Sequence, residues 1–107
     1  MKTAIALCIG VFLVATIGSF GASDSDIDKL TTYAVILGRA VACGIDTSNA
    51  TSRVGAWMDR TFLKNEKATY LVIMVEGMQY HAEQQRAGKS PDTCDAVRRS
   101  FAKIAWP

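Results

Sequence analysis

His81 is the single histidine of the chain, and so the one side chain whose ordinary titration falls near neutral pH. An acid–base enzyme built from this sequence would have to use it. On a helix, Glu76 and Glu83 fall on the far side from His81, while Ser90 and Thr93 are accounted for by helix capping. A lone histidine at the edge of an apolar stripe is ordinarily a packing residue, so no catalytic residue is assigned and the chain is not expected to be an enzyme. Met74 and Met78 recur with His81 on one side of the same helix, a set of soft ligands that could hold copper outside the cytoplasm. The plainer reading is that methionines at core spacing fill the core. Copper binding at Met74, Met78 and His81 therefore stands as an alternative, and no cofactor is expected. Zinc and haem are not supported, because there is no closely spaced cysteine pair and no Cys-x-x-Cys-His.

The other chemistry-bearing residues are the cysteines, and their reading depends on the amino terminus. Lys2 is followed by an apolar run from Ala4 to Phe20 and then by small residues, with Ser19 and Gly21 spaced as a cleavage site before Ala22, or Gly21 and Ser23 before Asp24. Residues 1–21 are thus expected to be a secretory signal peptide. A retained membrane anchor is the alternative, and Gly10, Thr16, Gly18 and Ser19 dilute it. Cys8 sits too early, with Leu7 before it, to mark a lipoprotein. Removal of the signal takes Cys8 away and leaves Cys43 and Cys94 in a small exported domain, where they are expected to form one structural disulfide. Neither has a resolving thiol nearby, so redox chemistry is not expected of the bond.

The 107-residue chain leaves about 85 residues after the signal, enough for one domain with one modest core spanning 22–107. The formal charge is +2 and falls by one with Lys2. Basic residues are scattered and mixed with acids rather than gathered in a stripe, which excludes nucleic acid as the expected partner. No membrane contact is expected once the signal is cleaved.

Four helices are predicted to position these residues. Asp24, Ser25 and Asp26 cap a first helix running to about Cys43, with Ile27, Leu30, Ala34, Leu37 and Val41 inward and Gly44 as its stop. Gly38 and Ala42 lie one turn apart beside that stripe and mark a close approach of another backbone. Thr47 or Ser48 caps a second helix to about Leu63 that turns Ala50, Val54, Trp57, Met58 and Phe62 inward. Asn49, Ala50 and Thr51 match a glycosylation acceptor in its first turn, a pattern common by chance. Lys64 to Lys67 reads as a polar link. Ala68 to Ala82 then reads as the central element, because Leu71, Met74, Val75, Met78 and Ala82 form a stripe while Val72 and Ile73 lie outside it and would also need cover. Tyr70 to Val75 alone would also suit a buried strand; Asn65 and Glu66 at the start and Gly88 as a stop favour helix. Ser90 and Pro91 begin the last helix, with Cys94, Val97, Phe101 and Ile104 on one side and Asp95, Arg99 and Lys103 on the other. The expected fold class is all-α: a small four-helix bundle-like domain stapled by one disulfide and preceded by a signal peptide.

A signal peptide, about 85 mature residues, all helices and one long-range disulfide resemble the small acid-activated periplasmic chaperones of bacteria. The resemblance rests on size and two cysteines, and the segment GRAVACG around Cys43 adds no motif to it. It implies a protein that exposes its core on acidification, with Asp24, Asp26, Asp28, Asp46, Asp92 and Asp95 losing favourable helix-dipole interactions when protonated. The leading expectation comes from the residues themselves. It is a small periplasmic or secreted protein that binds another envelope or secreted protein, as an accessory, inhibitor or immunity-type factor. Trp57, Tyr70, Tyr80 and Trp106 would anchor the partner where they are exposed, and Arg53 and Arg60 flank them as a basic edge.

Overall fold

The computed structural model describes residues 22–107, and the expected signal segment with Cys8 lies outside them. The described residues are all-helical, forming α1 (Asp24–Ala42), α2 (Ser48–Thr61), α3 (Lys64–Arg86) and α4 (Cys94–Lys103).

Ser23 caps α1, one residue before the expected acids, and its hydroxyl accepts from the Asp26 N–H at 3.1 Å. Asp24 and Asp26 instead occupy the first turn, where the positive helix end favours them. Leu30, Ala34 and Leu37 are buried as the stripe predicts. The stripe ends a turn early, since Val41 is exposed. Gly44 takes φ 76°, and the N–H groups of Gly44 and Ile45 donate back to the Val41 and Ala40 carbonyls. That satisfies the last turn with a left-handed glycine, and Gly88 closes α3 in the same way.

The inward face of α2 is the one expected: Ala50, Val54, Trp57, Met58 and Phe62 are all buried. Its start differs. Neither Thr47 nor Ser48 caps it with a side chain; the Asp46 carboxylate accepts from both the N–H and the hydroxyl of Ser48, which holds the Asp46 carboxyl below its usual range. The polar link expected at Lys64 to Lys67 is absent, because α3 begins at Lys64 and the turn is made by Phe62 and Leu63 alone. Glu66 and Lys67 donate their N–H groups to the Leu63 carbonyl, so polar residues here simply form the first turn of a helix. Similarly, α4 does not begin at Ser90 and Pro91. Thr93 caps it, accepting from the Ala96 N–H at 3.2 Å, while Asp92 turns away to meet Arg39 of α1.

The main helix pair is α1 with α3; α4 packs next most closely on α1, and α2 makes fewer contacts with both. Gly38 is what lets α1 and α3 meet so closely. A Cβ there would fall 3.0 Å from Met78 Cα and closer still to the Met78 carbonyl oxygen. Beyond this seam, Tyr33, Trp57 and Phe62 join edge to face, Tyr70 stacks on Phe62 at 4.4 Å, and Trp106 packs on Tyr33 and Phe101. Cys43, just past α1, is bonded to Cys94, the first residue of α4, with Cα atoms 5.5 Å apart. The staple therefore ties α1 to α4, as expected.

The buried centre is α1, where Leu37 and Ala40 are fully enclosed, and this corrects the expectation for Ala68 to Ala82. In α3 only Met74 and Ala82 are buried. Leu71, Val72, Ile73 and Val75 remain 43% to 54% exposed. The physical reason is coverage: α1 lies along one side of α3, and no other described element wraps round to the remainder.

Candidate functional site

The residues singled out for chemistry divide between two cavities. Met74 and His81 line one small cavity of about 100 Å³ with Leu30, Ala34 and Gly77, whereas Met78 lines a second groove with Gly38, Val41 and Ala82. All three lie on the face of α3 turned toward α1, where Met78 meets Gly38. His81 is half-buried at the α1–α3 seam, edge to face with Tyr80 at 5.1 Å. Burial first, and the Arg39 guanidinium second, push its pKa below the usual histidine value, so the folded protein favours neutral imidazole. Arg39 is itself held: it donates to Asp92 at 3.0 Å with only 14% of its side chain exposed. Gln85 donates to the Asp92 carbonyl from below. This polar group braces the α3–α4 turn against α1, close to the disulfide. No group of three or more His, Cys, Asp or Glu side chains suited to a metal ion occurs among the described residues.

The aromatic residues separate in the same way. Trp57 is enclosed in the core, and Tyr70 and Trp106 are half-buried against it. Trp106 also donates its indole N–H to the Phe101 carbonyl at 3.3 Å. Tyr80, 57% exposed, meets the condition of exposure on which an anchoring role depended. Arg53 donates to the carbonyls of Pro107 at 2.8 Å and Trp106 at 3.0 Å, so it fastens the chain beyond α4 onto α2. Arg60 is exposed in the last turn of α2. Asn49 is exposed in the first turn of that helix.

What the structure does bring together is an apolar surface on α3. At 100° per residue, Ala68, Leu71, Val72 and Val75 fall on one flank, and Ile73 and Tyr80 fall on the other. The cavities agree with that division. Leu71 lines a groove with Ser52, Gly55 and Ala56 of α2, while Ile73 lines the His81 cavity with Leu30 and Val35 of α1. Exposed apolar residues scattered singly are ordinary, but Leu71, Val72 and Val75 adjoin on one flank, a patch of the kind that marks an interaction site, and Ile73 and Tyr80 adjoin on the other. The signal was present in the sequence as the apolar run itself, read there as core because both uses need cover. No described helix is long and apolar enough to cross a membrane. No family model, no curated protein and no solved structure matches the chain.

Proposed function

We propose that this chain is a small exported helical protein that works by binding another protein of the bacterial envelope, as an accessory, inhibitor or immunity-type factor. The observation that carries the reading is the open apolar surface of α3, with Leu71, Val72, Ile73, Val75 and Tyr80 all at least 43% exposed on a cross-braced frame. The Cys43–Cys94 bond supports an oxidising compartment, because disulfides persist there and are rare in the cytosol. Rigid presentation lowers the ordering cost of association. The test is affinity capture from envelope extract under oxidising conditions, comparing wild type with Ile73→Glu. A specific protein retained by wild type and lost by the variant supports the reading; the same proteins retained by both would refute it.

Acid-triggered client binding is the second reading, and the neutral His81 beside Arg39 favours it. Protonation there would place two cations at the α1–α3 seam, of which Arg39 alone is paired, to Asp92 at 3.0 Å. Aggregation of an unrelated client at low pH, followed with and without the protein, decides it. Absence of protection removes this reading and leaves the first in place.

A further inference from the structure

We propose that the flank carrying Ala68, Leu71, Val72 and Val75 is the contact between two copies of this chain, paired with their α3 helices antiparallel about a two-fold axis. The inference rests on the protein-binding reading and names the occupant of one flank, leaving Ile73 and Tyr80 on the other flank for the second protein.

The first half of α3 calls for such a partner. From Lys64 to Ile73, no residue is fully buried, although the segment includes Tyr70, Leu71, Val72 and Ile73. Helices in proteins draw most of their stability from a packed face. The arrangement of residues along the flank suits a second copy. Leu71, Val72 and Val75 lie near the middle of the helix, bounded by Lys64 and Asn65 before and by Gln79, Glu83 and Arg86 after, the apolar centre and polar rim of an interface. A two-fold axis level with residue 73 sets Leu71 against the other copy's Val75 and brings the two Val72 residues within about 3 Å of one level, the self-complementarity an isologous contact requires. Ala68 keeps the approach close on either side.

Charge fits the same axis. At 1.5 Å per residue, Lys64 lies about 13 Å to one side of the axis and Glu83 about 15 Å to the other. Antiparallel pairing therefore brings Lys64 of each α3 level with Glu83 of the other, with the helix dipoles opposed. A parallel pairing would instead set Lys64 beside Lys64 and Glu83 beside Glu83. The strip between these levels is roughly 30 Å long and about 10 Å wide, so two copies bury about 600 Å² along it, below the roughly 1,000 Å² expected of a stable specific interface. The dimer is accordingly a weak one.

The test is sedimentation equilibrium of the oxidised, exported protein between about 10 μM and about 1 mM, the range in which an interface of this size dissociates. The mass should rise from that of the monomer toward twice that value. Val72→Glu should weaken the dimer at least about 10-fold, and the milder Val72→Ser should weaken it less; circular dichroism should show both variants folded, since the position is 54% exposed. Lys64→Glu and Glu83→Lys should each weaken it about 3-fold, and the two together should restore it. A monomer at every concentration, a dimer indifferent to both Val72 variants, or charge variants that do not rescue one another would overturn the proposal. A monomer that still captures an envelope protein overturns the second copy alone. A dimer that captures nothing leaves this pairing standing and removes the hetero-partner.

Discussion

The sharpest consequence of the α1–α3 seam is that one substitution, glycine to alanine, should change sign with position. In a helix interior the exchange is intrinsically favourable by about 1 kcal/mol, because alanine is the better helix former. At Gly55 of α2 nothing lies within 4 Å of the added methyl, so Gly55→Ala should keep that gain. At Gly77 the methyl meets Ala34 Cβ at 3.3 Å, a few tenths of an ångström too close, and the gain should be nearly cancelled. At Gly38 it meets the Met78 backbone, with the α carbon at 3.0 Å and the carbonyl oxygen nearer. A backbone carbonyl cannot rotate aside as a side chain does, so α1 and α3 must separate along their main contact. Overpacking costs about 1–3 kcal/mol, and a backbone obstacle lies at the top of that range, leaving Gly38→Ala about 2 kcal/mol less stable than wild type. Urea denaturation of the oxidised proteins measures this. With a slope of about 1 kcal/mol/M for a chain this short, the midpoint for Gly38→Ala should fall by roughly 2 M and that for Gly55→Ala should rise by up to about 1 M. A Gly38→Ala midpoint at or above wild type, with the slope unchanged, would refute the close approach of the two helices.

Three further outcomes follow from the same frame. Replacing Cys43 and Cys94 with serine opens a loop of sequence separation 51 and should cost roughly 4 kcal/mol in the chain-entropy model, read as a lower urea midpoint that matches wild type under reduction. His81 has its pKa depressed on folding, so its contribution is complete above the unfolded value near 6.5 and is lost as pH falls through that value toward the folded one. Stability measured from pH 7.5 down to about 5 should therefore decline, and His81→Gln should flatten the decline; an identical slope in both would remove His81 as its cause. Asp92→Ala leaves the largely enclosed Arg39 without its acid and should cost about 1–3 kcal/mol, whereas Asp95→Ala, which breaks an exposed pair with Arg98, should cost well under about 1 kcal/mol.

Helix number, the α2 face and the disulfide were legible because each has a local cause. The α2 stripe from Ala50 to Phe62 is amphipathic, so only one side of it could turn inward. Cys43 precedes the Gly44 stop and Cys94 begins the last helix, and both placements follow from neighbouring residues. Boundaries were less legible where two caps competed: Ser90 with Pro91 is a good start signal, yet Thr93 caps α4 because Asp92 is drawn to an arginine 53 residues away. Long-range pairing of that kind leaves no trace in a local pattern. The apolar half of α3 shows the same gap in reverse. Val72 and Ile73 announce that they need cover, but periodicity cannot say whether the cover comes from the same chain.

The bond between Cys43 and Cys94 encloses all of α2 and α3, together with the turns before and after them. A protease that cuts anywhere between these cysteines makes two fragments that stay covalently joined. Nicked protein would run as a single species until reduced, and its fragments would reassemble as a unimolecular process at a high effective concentration. A peptidase cut at the exposed Leu63 or Lys89 would therefore leave the chain in one piece.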